Sequence, residues 1–448
     1  MSILSDPSEK FIIRLKTYVH SLRKKFISRF SSDPLLKGIL ILGSGTAISQ
    51  ILGIILVPII TRIYPPDIYG TLAVFSSLIS ILLVVSTLKY ELTIPIAEKG
   101  DDAEYLVFLS FLILSILTVI LFVILVLWGD YLASMLHFEF LAPYYWLFCI
   151  GFYGASAYQI LTFWALRSKL YVQITRTKIS QSISGSVSKI ILGILSFGSL
   201  GLIVGDIIGR WVGIGTLGKK IIPKMVRSIH DIDIQKLRSL ASAYRKFPLY
   251  SLPSAFINVI ALQVPILFLS DIYGFETVGL YSLSVTITLL PVSFISGSIS
   301  QAYTAECSEL FRQKSAELLP LYLTTTKKLF KYGAPIILAG AVISPLLFPV
   351  IFGSAWKDAG IFVLPLSIFV IAQFVVSSTD RLDMYGYNHW ALIWNIFRTL
   401  LVLGGFYLAL VYTLPPIVTI LIFSLIMTVM YLICYILNIE AIKRCIGK

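Results

Sequence analysis

Three basic residues stand in apolar surroundings. Lys189 and Arg210 bracket the run IILGILSFGSLGLIVGDIIG, and Arg398 lies within WNIFRTLLVLGGF. A cation at the centre of a hydrocarbon-spanning helix costs about 2.5 to 3.5 kcal/mol on insertion scales, so each needs water, an acidic partner or an anionic ligand. Asp206 precedes Arg210 by four residues, the favourable spacing for an ion pair on one helix face. One acid does not neutralise two cations. The surplus suits an anionic ligand, whose oxygens Arg grips bidentately and Lys meets as a point charge. Arg398 follows Lys189 by 209 residues. Each falls mid-way along the fifth expected span of its half, so both are expected to face one central cavity. Two plainer readings stand beside this: a structural Arg210–Asp206 pair, and a Lys189 that snorkels along the serines at 182, 184, 186 and 188.

Hydrophobic residues make up 57% of the 448-residue chain and charged ones only 13%, and the mean hydropathy is +0.89. A water-soluble globule needs a far more polar skin. The chain is therefore expected to be an all-α polytopic membrane protein, because runs of about twenty apolar residues recur and hydrocarbon leaves no backbone group unpaired. Hydropathy predicts twelve transmembrane helices, near 38–61, 71–93, 105–128, 141–164, 180–198, 200–217, 248–269, 279–303, 333–352, 359–378, 390–412 and 417–438. The expected organisation is a basic tail (1–37), a six-helix bundle (38–217), a linker (218–247), a second six-helix bundle (248–438) and a short C-terminal tail (439–448). Apolar residues alternate with Lys and Arg at helical spacing in Phe11–Phe30, which suits an anionic membrane surface.

The distribution of Lys and Arg predicts the orientation, since short cytoplasmic loops retain positive charge. Eight lie in the N-terminal tail, four after span 4, eight in the linker and five after span 8, whereas the odd-numbered loops hold only Arg62 and Lys357. Both termini are thus expected to be cytoplasmic. The segment ELTIPIAEKGDDAEY after span 2 is acidic and fits this pattern poorly. The phrases IYPPDIYG (63–70) and IYGFETVG (272–279) share a skeleton at the same 209-residue offset. Each is placed at the outer turn of the first hairpin of its half, as a parallel repeat about a pseudo-two-fold axis along the membrane normal would place them.

Small polar stripes on spans 1 and 7, with Gln50 on the first and Asn258 on the second, are candidate cavity walls, although such stripes are more often helix-packing faces. Arg62, at the outer end of span 1, is a candidate phosphate contact or simply marks the membrane interface. No nucleotide-binding loop, zinc helix or nucleophile elbow occurs, and Cys149, Cys307, Cys434 and Cys445 lack metal-ligand or redox spacing. Catalysis, a metal, a cofactor and nucleic acid are therefore not expected.

The stretch YRKFPLYSLPSAFINVIALQVPILFLSDIYGFETVGLYSLSVTITLLPVSFISGSISQAY (244–303) resembles bacterial polysaccharide transporters. These are the Wzx-type oligosaccharide or O-antigen flippases of the multidrug/oligosaccharidyl-lipid/polysaccharide exporter superfamily. GSGTAISQILGIILVPIITRIYPPDIYG (43–70), KYELTIPIAEKGDDAEY (89–105) and YQILTFWALRSKLYVQITRTKISQS (158–182) carry the same resemblance. It implies two six-helix bundles around a V-shaped central cavity in the bacterial inner membrane. The implied activity is translocation of an undecaprenyl-pyrophosphate-linked oligosaccharide to the outer leaflet by alternating access, for surface polysaccharide assembly. Lys189, Arg210, Arg398 and Arg62 would hold the cargo, with Asp206, Gln50 and Asn258 in support or ion coupling. Implied partners are membrane lipids, a polysaccharide polymerase and chain-length machinery. The rival within the superfamily is an ion-coupled small-molecule antiporter, which a cationic cavity disfavours because drug cations would be repelled.

Overall fold

The computed structural model describes residues 34–135, 145–219, 221–223, 233–313 and 315–446. The basic stretch Phe11–Phe30, the start of expected span 4 and part of the linker lie outside them. Among the described residues the chain is helical throughout and holds no strand. Its helices are α1 (Pro34–Ile63), α2 (Pro66–Val85), a 3-10 helix (Tyr90–Ile96), α3 (Gly100–Met135), α4 (Tyr145–Arg167), α5 (Tyr171–Ile194), α6 (Gly198–Trp211) and the short α7 (Ile214–Gly218). After the linker helix α8 (Ile234–Ala243) come α9 (Leu252–Arg312), α10 (Leu318–Phe352), α11 (Lys357–Ser377), α12 (Asn388–Val411) and α13 (Pro416–Ile446).

Ten of the described helical segments are long and apolar enough to cross a membrane. Two further features are consistent with the twelve spans expected from hydropathy. The 61-residue α9 is two helices joined across a kink at Gly274, whose φ of 79° and ψ of 177° belong to a region open essentially to glycine alone. The polar α5, rich in Ser, Thr and Lys, is the other.

Several boundaries differ from expectation. The second span starts at Pro66, since proline suits a first helical turn, and stops at Val85 because Leu88 and Lys89 adopt left-handed φ. The turn between the fifth and sixth spans is Leu195–Phe197, with Ser196 and Gly198 at positive φ, rather than a single residue at 199. The expected basic loop after span 8 is largely helix, because α9 runs on to Arg312 and α10 starts at Leu318.

The end that carries most Lys and Arg connections, the basic side, is fastened within each half by one arginine. Arg167, closing α4, donates to the carbonyls of Ile94, Pro95, Ala97 and Lys99 at 2.7–3.3 Å. Arg381, just past α11, donates to Ser300 O and Oγ at 2.7 Å and to Thr304 Oγ1 at 2.8 Å. The acidic segment after α2 also finds its reason here. Glu91 is fully buried and accepts from Gln159 Nε2 at 3.0 Å and from Thr87 Oγ1. Asp102 pairs with Lys236 of α8 at 3.1 Å, and Tyr90 donates to Ala241 O at 2.9 Å. The Asp102 carboxylate, hydrogen-bonded to Lys236, holds the ammonium pKa above its ordinary value. Negative charge on the basic side thus anchors the linker helix.

At the opposite end, the one expected to be outer, the halves meet. A Cβ on Gly70 would collide with the carbonyl oxygen of Phe275, and one on Gly279 with that of Pro66. Each carbonyl lies four residues before the other glycine, so the contact is reciprocal, as a two-fold axis between the halves requires. Around it, Arg62 donates to Val350 O at 2.9 Å, Trp356 Nε1 donates to Thr61 O at 2.8 Å, and Tyr69 meets Trp356 edge-on at 5.4 Å.

Candidate functional site, a cationic cavity between α1, α5 and α6

Glycine lets a polar helix pack tightly enough to build a site. Gly185 of α5 faces Gly209 of α6, where an added Cβ on either would lie 3.2–3.3 Å from the other's Cα, and Gly205 rests against Lys189. On its other flank α5 meets α1 through reciprocal serine bonds. Ser49 Oγ donates to Lys178 O and Ser182 Oγ to Ser49 O, both at 2.9 Å. These satisfied hydroxyls make a serine-rich helix tolerable in an apolar bundle.

Between these helices lies a cavity of about 410 Å³, whose walls include Tyr158, Lys178, Gln181, Lys189, Asp206 and Arg210. Asp206 holds both expected cations, with Oδ1 3.0 Å from Lys189 Nζ and Oδ2 2.6 Å from Arg210 Nε. Arg210 Nη2 also reaches Ser76 Oγ at 3.4 Å, and Lys178 Nζ donates to Thr46 Oγ1 at 3.0 Å. The side chains of Lys189, Asp206 and Arg210 are 17–22% exposed, so the pairings are shielded but still reachable from the cavity. Three cations and one carboxylate give the lining a formal charge of +2. In so sheltered a place, that charge favours a doubly charged anion over a neutral or cationic guest.

The sequence reading missed Lys178, which it assigned to the loop before span 5. A signal was present: eleven residues separate Lys178 from Lys189, three helical turns, so both occupy one face of α5 with Ser182 and Gly185 between them. The shifted α5–α6 turn also changes the depths. At 1.5 Å per residue Lys189 lies about 10 Å from it and Arg210 about 18–20 Å, instead of level with each other. Their long side chains close the difference on Asp206.

Arg398 sits apart from this cavity. Its side chain is 4% exposed, donates from Nη2 to Asn258 Oδ1 at 3.0 Å and lies 4.7 Å over the Trp394 ring, with Nε buried and without an acceptor. Arg398 and Asn258 therefore pair with each other inside the C-terminal half, and the structure does not bring them to Lys189. Arg62 belongs to the outer contact described above. Gln50, half-buried, is outside the cavity lining, where its neighbour Ser49 takes part. Among the described residues no group of His, Cys, Asp and Glu is placed to hold a metal, and Cys149, Cys307 and Cys434 are buried free thiols.

Known proteins share this architecture. The transporter solved as an inward-facing multidrug resistance MATE family member of the MOP superfamily superposes with a TM-score of 0.62 at 16% identity, over 88% of this chain and 96% of that one. Lipid II flippase MurJ, in an inward closed conformation, superposes with a TM-score of 0.66 at 13% identity, over 90% and 87%. At these identities the likeness establishes the fold. In sequence, the amylovoran biosynthesis protein AmsL of Erwinia amylovora is 24% identical over 158 residues, a match spanning 35% of this chain and 40% of that protein. The family model described as polysaccharide biosynthesis protein matches residues 59–361, about two thirds of the chain. With an all-helical membrane fold shared by MATE transporters and MurJ, and a family match across both halves, the chain belongs to the polysaccharide biosynthesis protein family.

Proposed function

We propose that the protein is a flippase that carries a lipid-pyrophosphate-linked oligosaccharide from the inner to the outer leaflet of a bacterial cytoplasmic membrane, for surface polysaccharide assembly such as O-antigen or capsule. The observation that carries this reading is the +2 cavity formed by Lys178, Lys189, Arg210 and Asp206. A pyrophosphate diester offers two negative charges and several acceptor oxygens, which lysine and arginine donors match. Asp206 pre-orients Lys189 and Arg210 while leaving donor positions on both groups for an incoming anion. The basic side faces the cytoplasm in this reading, and the joined outer ends put the molecule in a state closed to the outside. Cargo enters from the cytoplasmic side, and parting of the outer contact then exposes it to the opposite leaflet. An interior-negative potential of about 100 mV assists outward passage of two negative charges by roughly 4.6 kcal/mol if the whole field is crossed. The small-molecule antiporter reading gains nothing from a net cationic lining.

The test uses vesicles reconstituted with the full chain and a fluorescent polyprenyl-pyrophosphate saccharide, whose leaflet is read by an impermeant quencher. Translocation by the wild type and its loss in Lys189→Ala/Arg210→Ala, with insertion unchanged, is the expected result. Equal translocation by this double variant, or efflux of drug cations in place of the saccharide, overturns the reading.

A further inference from the structure

A second cavity, of about 530 Å³, lies on the flank of the C-terminal half between α10, α11 and α13. Its volume is within the roughly 300–1,000 Å³ of small-ligand sites. The chemistry is opposite to that of the cationic site. Phe330, Leu338, Ile371, Ala372 and Leu432 supply a mostly apolar wall, the Thr428 hydroxyl midway along it is turned back onto Ser424 O, and the remaining polar residues Thr326, Lys327 and Tyr435 stand at one end. At that end Tyr322 stacks on the lining Tyr435, with ring centres 5.4 Å apart and the Tyr322 hydroxyl donating to Tyr435 O at 3.3 Å.

The depth of the polar end identifies its surroundings. α10 continues for 25 residues from Lys327 to Phe352, its outer end, and at 1.5 Å per residue this spans about 38 Å. The hydrocarbon core is about 30 Å thick, so Lys327 emerges into the headgroup layer of the basic-side leaflet while the apolar wall stays within the acyl region. Lys328 and Lys331 are exposed beside it, and among the described residues no salt bridge is formed by these three lysines. An apolar trough that ends in three lysines without a salt bridge among the described residues, Lys331 lying 5.7 Å over the Tyr332 ring, has the charge pattern of one amphiphile. Its tail lies in the groove and its anionic head against the lysines.

We infer that this groove binds an anionic phospholipid of the basic-side leaflet, with an acyl chain between α10 and α13 and the phosphate on Lys327 and Lys331. The site is separate from the cationic cavity, so it stands or falls independently of the proposed cargo. Lipid seated there would hold α10 against α11 and α13. The experiment places the purified full chain in nanodiscs or detergent with phosphatidylglycerol or phosphatidylcholine and counts retained lipid by native mass spectrometry. Phosphatidylglycerol is expected to be retained over phosphatidylcholine. Each of Lys327→Ala and Lys331→Ala should weaken it roughly five-fold, the effect of one basic residue at an anionic surface. Ala372→Trp, which fills the trough but leaves the lysines, should abolish retention of either lipid at this site. Equal retention of both lipids, or phosphatidylglycerol retention unchanged in Ala372→Trp, overturns the inference. Displacement of phosphatidylglycerol by equimolar polyprenyl phosphate also overturns it and assigns the groove to a polyprenyl tail.

Discussion

Replacing Gly70 by alanine tests whether the outer contact between the halves is a gate. The new Cβ would collide with the Phe275 carbonyl, and the symmetry-matched Gly279→Ala with that of Pro66; in both cases the obstacle is backbone and cannot rotate away. Overpacking of this kind costs about 1–3 kcal/mol, all of it in the state where the ends touch. Such a bias shifts a two-state equilibrium about 5- to 150-fold. An outward-open minor state of about 1% would rise to roughly 5–60%. The assay is labelling of an Ile68→Cys reporter, partly buried against the core beside the contact, by an impermeant maleimide. Background is low because three of the native thiols are buried and the fourth, Cys445, lies near the far end of α13. Gly340→Ala is the control, since its Cβ would meet nothing within 4 Å. Labelling should rise in both glycine variants, and less than additively in the double variant, because one separation relieves both collisions. Labelling and transport equal to the wild type and the control would show that the ends do not part.

Lys178→Ala lowers the lining charge from +2 to +1 and should reduce saccharide translocation several-fold with folding intact, as measured in the vesicle assay. Arg398→Ala is expected to act on stability instead. It removes a buried guanidinium from Asn258 and Trp394, and a loss of about 1–3 kcal/mol should appear as a lower Tm in detergent. Arg167→Ala leaves four carbonyls without their donor and should cost about 2–4 kcal/mol while making the 90–99 segment susceptible to limited proteolysis. Asp102→Asn should loosen α8 only slightly, since the Lys236 pair is partly exposed, seen as a small rise in limited proteolysis of the linker that high salt erases.

Hydropathy period and charge placement made the helical membrane architecture legible, since apolar length and the Lys and Arg pattern are local properties of the chain. Asp206, Lys189 and Arg210 were legible as a group because the four-residue spacing and the shared turn put them on facing arms. Lys178 was lost because a polar, Ser-rich helix gives a weak hydropathy signal, and its start was set nine residues late. Arg398 lies at the matching offset but pairs with Asn258, a partner 140 residues away that no spacing rule reaches. The acidic segment after α2 was anomalous in sequence for a similar reason. Its partner Lys236 belongs to a distant helix, and tertiary pairing overrides the local charge rule there.

The anchoring of α8 has a mechanical consequence. With Lys236 on Asp102 and Ala241 on Tyr90, about eight residues remain between the fastened helix and the start of α9. Coiled, they cover about 12 Å, and drawn straight they reach at most about 29 Å. The connection is a leash of fixed length, with the slack stored in the turn Phe247–Ser251. In the proposed transport cycle, any parting of the halves on that side ends where the leash goes taut.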